Sequence, residues 1–480
     1  MHTPFWEHDC FSERCLRNFL SLAKKHNKKA NLRVLKKAFL FSKDAHAGQV
    51  RASGKAFFCH PLETAALLAK LGLSSNAVAA GLLHDILEDT DVTEKKLKME
   101  FGGEILGLVE GVTKIDLLAS ESKFQQKSES LHSLLLATTR DPRVILIKLA
   151  DKLHNLRTLH YLPKRDRVRI AEETLVIYVP IAHKIGVEEM AVEIEDLAFK
   201  YAKPEAFKVF SRKVSWKRMK KDHEINLMIP VLRKKMKKAN FYKRRRSVYS
   251  IYTKLQNTGK VLAEVNDSVI LNVIVDSKAD CYSALGVIHG LFPPLPNKVK
   301  DFIATPKPSF YRLLQTSVFG PTKKSVKVRI ATLEMDTLNR FGVVAYRKFT
   351  GKRLSGFMKH NLSKLDSILK NGLGKETFDF LKVDFLAEPV FVFNSKGVLY
   401  ELPKKSTVLD FAFASEKKWA LHLLSAKVDG KSVSYGKRLE SGNVVEFVLG
   451  KKNTAKKEWL KQVRGYNSKK ILKAYFGKKS

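Results

Sequence analysis

Four ionisable residues interrupt the apolar segment GLLHDILEDT, residues 81–90. His84 and Asp85 are adjacent, and Glu88 and Asp89 follow them about one helical turn later. Imidazole and carboxylate groups are ligands for borderline divalent ions such as manganese, zinc and iron. Because a buried charge is costly unless it is paired or bound to a metal, these residue types in an apolar segment indicate a metal site.

Two residues elsewhere in the chain complete a set of four candidate ligands. His60 ends the segment RASGKAFFCH, and Asp151 lies in KLADKLHN. Together with His84 and Asp85, they would bind one ion from three helices and leave coordination positions open for water and substrate. The four cysteines are too scattered for a zinc site of the CxxC type, so a metal in this protein must use His and carboxylate ligands.

Glu88 and Asp89 are the candidate catalytic residues, because one turn beyond the His-Asp pair they could orient or deprotonate a water molecule. Two alternatives stay open. An isolated His-Asp dipeptide is often a capping or solvated pair, and two acidic residues at a helix end are often a surface charge cluster. His154 and His183 are interpreted as structural histidines.

The elements that would position these residues are helices. From about Leu32 to Phe199, apolar residues recur every three to four positions, and Gly or Pro marks the joints. The pattern is present in LETAALLAKLGL, NAVAAGLLHDIL, EILGLVEGVTKI, VILIKLADKLHNLRTL and ETLVIYVPIAHKIG. It predicts an all-α domain.

A different pattern begins near Pro204. EVNDSVILNVIVDS predicts a buried strand, SVKVRIATLEM and GVVAYRKF predict further strands, and CYSALGVIHGLF predicts a helix between them. After a basic helical connection, EPVFVFNSKGVLYELPKKSTVLDFAF predicts a hairpin and the start of a helix. SAKVDGKSV and NVVEFVL complete a small β-rich module, and the tail is predicted to form one or two basic helices with little core of their own.

The net charge of +40 is unevenly distributed along the 480 residues. Residues 1–200 carry 30 Lys and Arg against 26 Asp and Glu, and the rest of the chain carries 58 against 22. A nearly neutral first part suits an enzyme domain, whereas the strongly basic remainder is typical of a protein that binds a polyanion. A general lysine bias of the source proteome is the alternative explanation.

Nothing in the sequence predicts export or membrane insertion. The chain has no run of about 18 apolar residues, and MHTPFWEHDC lacks the order of a signal peptide. The four cysteines, Cys10, Cys15, Cys59 and Cys281, are expected to be reduced thiols. A cytoplasmic protein is therefore expected.

Three long segments resemble the HD hydrolase domain of the RelA/SpoT family of bacterial alarmone enzymes. They are RASGKAFFCHPLETAALLAKLG, GLLHDILEDTDVTEKKLKMEFGGEILGLVEGVTKI and VILIKLADKLHNLRTLHYLPKRDRVRIAEETLVIYVPIAHKIGV. The resemblance extends through the α/β region to the family's synthetase domain, and through the β-rich module to its TGS module. It implies a multidomain α and α+β fold: an all-α HD domain, a mixed-sheet, nucleotidyltransferase-like synthetase domain and a small β-grasp TGS domain.

The resemblance also implies the roles of particular residues. A manganese ion would be held by His60, His84, Asp85 and Asp151. Glu88 and Asp89 would serve the water and the leaving pyrophosphate. The nucleotide would contact Arg51, Ser53, Asn155 and Thr158. The implied reaction removes the 3′-pyrophosphate from guanosine tetra- or pentaphosphate to give GDP or GTP.

The synthetase region keeps only part of the family pattern. The retained positions are Arg244, Arg246 in place of lysine, Ser250, Asp267 and Tyr311. The strand VKVRIAT stands where the family has a sequence like VEVQIRT, so Lys327 replaces the expected catalytic glutamate. Arg329 and Ala331 replace the glutamine and arginine, and Asn272 and Gln315 also depart from the family. An ammonium at a metal and base position repels magnesium, so no synthetase activity is expected.

The domains that the resemblance implies are, in order, an N-terminal extension (1–30), the HD domain (31–200), the degenerate synthetase domain (204–349), a basic helical connection (350–386), the TGS domain (387–450) and a basic helical tail (451–480). Family members contact tRNA and the ribosome through TGS and the helices beyond it, and the basic C-terminal part suits such a partner. Neither a membrane nor DNA is an expected partner. One rival interpretation is a regulatory pseudoenzyme that binds ribosomes or tRNA without catalysis, and another is a phosphohydrolase acting on a different nucleotide.

Overall fold

The computed structural model describes residues 10–119, 141–258, 268–305, 311–342, 390–403, 405–416 and 419–477. These residues fall into two compact units, one holding the described residues up to 342 and the other those from 390 onwards. None of the helices in the described ranges is long and apolar enough to cross a membrane.

The first part of the first unit is built from helices, as the periodicity predicts. They are α1 (Glu13–His26), α2 (Leu32–Ala45), α3 (Cys59–Lys70), α4 (Ser75–Leu83), α5 (Ile86–Asp89), α6 (Glu94–Ala119), α7 (Pro142–Arg157), α8 (Lys164–Glu173), α9 (Val179–Ile185) and α10 (Glu188–Ala202). A 3₁₀ turn, Leu159–Tyr161, follows α7, and a π-helical turn, Thr174–Tyr178, joins α8 to α9. Ser74 and Asp141 cap the N-termini of α4 and α7 with side-chain oxygens.

The helix predicted over NAVAAGLLHDIL is interrupted. α4 ends at Leu83, and the short helix α5 begins only at Ile86. His84 and Asp85 occupy the joint, where the His84 Nδ1 atom lies 3.0 Å from the carbonyl oxygen of Gly81. The two side chains therefore project from the end of a helix rather than from its side.

The expectation of four reduced thiols is wrong for two of them. Cys10 and Cys59 form a disulfide, with Cα atoms 5.7 Å apart, whereas Cys15 and Cys281 are buried thiols outside any disulfide. The pair is 49 residues apart in the sequence, so spacing gave no sign of it. Packing of the segment before α1 against the start of α3 brings the two sulfurs together.

The second part of the first unit contains a five-stranded sheet. Its elements are α11 (Pro204–Lys235), β1 (Asn240–Arg245), α12 (Val248–Thr258), β2 (Val269–Val275), α13 (Lys278–Leu291), β3 (Lys300–Asp301), β4 (Leu314–Phe319), β5 (Ser325–Thr332) and α14 (Leu333–Phe341). The strand order is β1-β2-β5-β4-β3, with β2 and β5 parallel and the other pairs antiparallel. The strands predicted at 269–275 and 325–332 and the helix between them are confirmed, whereas GVVAYRKF and the connection 350–386 lie outside the described residues.

One face of this sheet packs on α11 and α13 through Val269, Leu271, Val273, Val328 and Ile330, among others. Because side chains alternate along a strand, the residues between them point to the opposite face. That opposite face carries Arg244 of β1, Asn272 of β2, and Lys327 and Arg329 of β5.

The second unit contains the other sheet, in the order β7-β6-β10-β8-β9. Its strands are β6 (Val390–Asn394), β7 (Leu399–Leu402), β8 (Leu423–Val428), β9 (Lys431–Val433) and β10 (Val444–Leu449), and α15 (Val408–Ser415) packs on them. The predicted hairpin is β6–β7, and the predicted helix start is α15, which Thr407 and Asp410 cap reciprocally.

The tail forms two helices, as expected, and its apolar residues join the core of the module instead of forming one of their own. The helices α16 (Trp459–Gln462) and α17 (Tyr466–Gly477) bury Trp459, Val463 and Leu472 against Phe413 and Leu423 of the module. The Asp410 carboxylate also accepts hydrogen bonds from the backbone N–H groups at 464 and 465. The basic composition of the tail gave no indication of these apolar contacts.

Candidate active site

A buried cluster of histidine and aspartate lies where α3, α4 and α7 meet. One ligand atom from each of His60, His84 and Asp151 lies within 4.8 Å of the other two. His60 Nε2 is 3.2 Å from Asp151 Oδ1 and 3.4 Å from Asp85 Oδ2. His84 Nε2 is 3.0 Å from Asp85 Oδ1. The fold therefore brings all four predicted metal ligands to one place.

The orientation of His84 suits a metal ligand. Its Nδ1 atom can donate to the Gly81 carbonyl oxygen, which would leave Nε2 with a free lone pair. That Nε2 atom is buried and has no hydrogen-bond partner, since its close approach to Asp85 lacks hydrogen-bond geometry. A buried nitrogen without a partner, aimed at three other ligand groups, fits a divalent cation.

The charges of the cluster are set by burial and by the carboxylates. Burial lowers the pKa of His84, but Asp85 and Asp151 outweigh it and raise that pKa to about 9. Burial raises the pKa of Asp85, but His84 outweighs it and lowers that pKa to about 2. Burial alone dominates at His60 and lowers its pKa. The two carboxylates thus stay ionised at neutral pH, and a cation would compete with a proton for His84.

Two residues that contact the cluster, His154 and Lys148, were not identified as site residues from the sequence. His154, interpreted as structural, places its Nδ1 atom 2.6 Å from His60 Nδ1, and burial and the nearby His60 lower its pKa well below the usual range. A neutral His154 can accept a hydrogen bond from His60 and so leave His60 Nε2 directed at the carboxylates. Lys148, also buried, lies 2.8 Å from Asp151 Oδ2. Both residues are three positions from Asp151 on α7, a spacing that could have indicated them.

A cavity of about 370 Å³ opens beside the cluster. Its walls include Arg51, Ser53, Asn155 and Thr158, the four positions expected to contact nucleotide. Arg51 Nη2 donates to Asn155 Oδ1 over 2.8 Å, and Asn155 Nδ2 donates to Asp151 Oδ1 over 2.5 Å. Hydrogen bonds therefore connect the cavity wall to the metal cluster.

The cavity also has lining residues that the sequence analysis missed. Lys152 and Arg169 add two cations, and Tyr161 and Leu162 add apolar surface. A pocket with several cations and an aromatic ring suits a phosphorylated nucleoside.

Glu88 and Asp89 lie on α5, and both side chains are exposed. Although Asp89 is exposed, surrounding protein partly removes water from its carboxyl group, and this desolvation and the neighbouring Asp85 raise the pKa of Asp89. The Asp89 backbone carbonyl accepts a hydrogen bond from Gln49 Nε2 over 2.6 Å. The pair thus sits at the entrance to the cluster rather than within it.

The synthetase positions share one face of the first unit's sheet. In the strand register, Lys327 of β5 pairs with Ile270 of β2, and Arg329 pairs with Asn272. Arg244 of β1 pairs with the same Ile270 from the other side. Among the described strand residues of this face there is no carboxylate, while Asp267 lies outside the described residues. Arg246 lies between β1 and α12, and Ser250 lies in the first turn of α12.

Tyr311 and a carboxylate from the helical part close this face. The Arg329 guanidinium lies 5.5 Å from the centre of the Tyr311 ring. Glu188, at the start of α10, places Oε2 2.9 Å from Arg244 Nη2. Burial raises the pKa of Glu188, but His183, Arg244 and Arg329 outweigh it and lower that pKa to about 2. The Glu188 carboxylate of the helical part therefore lies beside Arg244 and Arg329 of this sheet face.

Fold and site define a class of protein: a helical domain with a buried His-Asp cluster, a mixed-sheet domain and a small β-rich module. The HD domain family matches residues 38–188, and the family described as a region found in RelA/SpoT proteins matches residues 243–353. The TGS domain family matches residues 390–449. The predicted multidomain α and α+β fold is confirmed.

The curated relatives carry the names of two opposite activities. A GTP pyrophosphokinase of Myxococcus xanthus is 34% identical over 457 residues, covering 93% of this chain and 60% of the relative. A guanosine-3′,5′-bis(diphosphate) 3′-pyrophosphohydrolase of Aquifex aeolicus is 36% identical over 452 residues, covering 92% of this chain and 64% of the relative. The chain thus spans about three fifths of the length of these relatives.

A solved structure described as a metazoan orthologue of SpoT that hydrolyses ppGpp is 23% identical, covering 35% of this chain and 94% of that one with a TM-score of 0.30. That likeness is too low to support an argument. From the three domain families and the curated relatives, the chain belongs to the RelA/SpoT family.

Proposed function

We propose that this protein is a manganese-dependent pyrophosphohydrolase that removes the 3′-pyrophosphate from guanosine tetra- or pentaphosphate. One observation carries the proposal: the buried cluster of His60, His84 and Asp151 adjoins a cavity lined by Arg51 and Asn155. The activity for which the Aquifex aeolicus relative is named supports the same substrate.

His60, His84, Asp85 and Asp151 would hold the manganese ion. When bound, it supplies positive charge to the scissile phosphate and lowers the pKa of a coordinated water. The protein's own groups do the rest. His154 orients His60 through the contact between their Nδ1 atoms, and Asn155 holds the Asp151 carboxylate.

Glu88 and Asp89 would serve proton transfer and the leaving group. A carboxyl with a raised pKa, as at Asp89, exchanges protons closer to neutral pH than an ordinary aspartate. The exposed position of both residues suits contact with an entering phosphate and its water.

The cavity would bind the nucleotide. Arg51 offers a planar, permanently charged group to phosphate oxygens, while Ser53, Asn155 and Thr158 offer hydrogen bonds. Arg51 is already held by Asn155, so its guanidinium loses little conformational freedom on binding.

The synthetase domain is proposed to be inactive. Pyrophosphoryl transfer from ATP requires carboxylates for magnesium and a base near the ribose hydroxyl. Lys327 and Arg329 place cations on the sheet face where those groups would act, and Arg244 adds a third. The nearby Glu334 lies beyond β5, exposed in the first turn of α14.

The basic C-terminal part is proposed to contact tRNA or the ribosome, and the protein is proposed to work in the cytoplasm. The RNA contact rests on the charge excess after residue 200. The cytoplasmic location rests on the sequence-based expectation alone, and the Cys10–Cys59 disulfide does not support it.

The test is hydrolysis of guanosine tetraphosphate by the purified full chain, with and without manganese, alongside zinc and iron(II). A variant carrying His84→Ala and Asp85→Ala should release no pyrophosphate, whereas His223→Ala, an exposed histidine on α11, should retain activity. Failure of the unsubstituted chain to hydrolyse the nucleotide with any of these ions would sink the proposal. In parallel, synthesis of tetraphosphate from ATP and GDP would refute the proposed loss of synthetase activity.

A further inference from the structure

The long helix α11 has one packed face and one open face. It runs for 32 residues, and it buries Val214, Ile225, Met228 and Leu232 against the rest of its unit. The opposite face is exposed along the whole helix. At 1.5 Å per residue this face is about 45 Å long.

The open face is strongly positive. The helix contains ten Lys and Arg residues against three Asp and Glu. Seven of the cations are exposed: Lys208, Arg212, Lys213, Lys220, Arg233, Lys234 and Lys235. Of the three acidic residues only Glu205 is exposed, since Glu224 is buried against Thr322 and Asp222 pairs with Lys243 and Arg245. Within the described ranges, no carboxylate lies within ion-pair distance of any of the seven.

A tryptophan stands in the middle of these cations. Trp216 is 61% exposed, and Met219 beside it is 69% exposed. Arg212 and Lys220 lie four residues before and after Trp216, so the three side chains share one line along the helix. The Lys220 ammonium already lies 3.3 Å from the centre of the indole ring. An exposed aromatic ring between cations is the arrangement that binds an unpaired base together with its phosphates.

A membrane surface is less suited to this face. A helix that lies in a membrane interface needs a continuous apolar side and a separate polar side. Here the continuous apolar side is packed inside the unit, and on the open face the exposed apolar residues alternate with cations. The face therefore fits a polyanion with stacking groups.

We propose that the open face of α11 binds RNA with unpaired bases, with phosphates on Arg212, Lys213 and Lys220 and a base stacked on Trp216. This refines the proposed RNA contact by moving its centre from the TGS module and tail to a helix of the first unit. It does not depend on hydrolase activity.

The experiment measures binding of a fluorescein-labelled oligouridine of about 20 nucleotides to the full chain at several salt concentrations. The variant R212Q/K213Q/K220Q should bind more weakly, and its plot of log affinity against log salt should be shallower by about 2, since each lost phosphate contact removes about 0.7 from a single-strand slope. Trp216→Ala should weaken binding roughly 5- to 150-fold, and Trp216→Phe should restore most of that loss.

Two control variants separate the possible outcomes. K24Q/K25Q/K28Q removes the same charge from exposed positions on and just after α1 and should leave the salt slope unchanged. K451Q/K452Q/K456Q/K457Q removes exposed charge ahead of α16. The proposal is overturned if only this last variant weakens binding, if the R212Q/K213Q/K220Q slope equals the unsubstituted one, or if the chain binds phosphatidylserine vesicles through Trp216 but not the oligonucleotide. Hydrolysis of guanosine tetraphosphate, measured on the same α11 variants, should be unchanged, so failure here is distinguishable from failure of the proposed hydrolase.

Discussion

His183 connects the helical part of the first unit to the sheet, and its substitution should make stability depend differently on pH. Its Nδ1 atom lies 2.9 Å from Glu188 Oε1, and its Nε2 atom lies 2.8 Å from Glu195 Oε1. Glu188 also pairs with Arg244, and Glu195 accepts a hydrogen bond from Ser247. A protonated His183 therefore ties together two carboxylates that contact the sheet domain.

The size of the His183 contribution to stability follows from the shift of its pKa. Burial lowers the pKa of His183, but Glu188 and Glu195 outweigh it and raise that pKa from 6.5 to about 10. At 1.36 kcal/mol per pKa unit, a difference of that size corresponds to about 5 kcal/mol. The His183 side chain is 35% exposed, so solvent screening reduces the expected contribution to about 1–2 kcal/mol.

The linkage between proton binding and folding determines how this contribution changes with pH. Below pH 6.5 the histidine is protonated in the folded and the unfolded chain, and the whole contribution is present. As the pH rises through about 10, folding no longer retains the proton and the contribution is lost. His183→Gln removes the charge at every pH, so the difference in stability between the unsubstituted chain and this variant should shrink with rising pH.

The assay is thermal unfolding of both proteins from pH 6 to pH 10. We expect His183→Gln to lower Tm by about 2–5 °C at pH 6 and by little at pH 10. His223→Gln, at an exposed site on α11, is the control and should show no such trend. A Tm difference between the unsubstituted chain and His183→Gln that stays constant across this range would refute the charge-linked role of His183.

Three further predictions concern the His-Asp cluster, the cavity beside it and the close contact between Gly342 and Gly186. Removal of metal with EDTA should lower Tm and manganese should restore it, because an ion that binds only the folded chain stabilises it; His84→Ala, which removes a candidate ligand, should abolish the response. Arg51→Lys should raise the KM for guanosine tetraphosphate about tenfold in steady-state assays, since an ammonium cannot replace the planar contacts to Asn155 and phosphate. Gly342→Ala should cost about 3 kcal/mol or more in urea unfolding, since φ is +48° and a Cβ would meet the backbone of Gly186 at 2.7 Å, whereas Gly107→Ala, in open space within α6, should be neutral or stabilising.

The sequence predicted the structure correctly where the relevant pattern lies within a single helix or strand. The period of three to four residues predicts α3, α4 and α7, and the placement of His60, His84 and Asp151 in or beside apolar helices predicts that they meet. Residue types then restrict the cluster to a hard or borderline cation. Similarly, the β-branched run at 269–275 predicts a strand buried on both faces, and every residue of β2 is buried.

The failures come from contacts between segments that are far apart in sequence. Cys10 and Cys59 pair because two segments pack, which no spacing rule indicates. From the sequence, His154 is an ordinary helix residue, and only the structure shows its contact with His60. In the tail, lysines dominate the composition, yet Trp459 and Leu472 decide the packing. Periodicity indicates which side of a helix or strand is apolar, but it does not indicate which other element packs against that side.

The substitutions on the synthetase sheet have a consequence that sequence comparison alone does not show. Lys327 and Arg329 add positive charge to a face that already carries Arg244, and repulsion between them would be costly without a nearby anion. Glu188 of the helical part supplies that anion, with a pKa lowered to about 2. Glu188 pairs directly with Arg244, and its charge also acts on Arg329, so a carboxylate of the helical part balances positive charge on this sheet face.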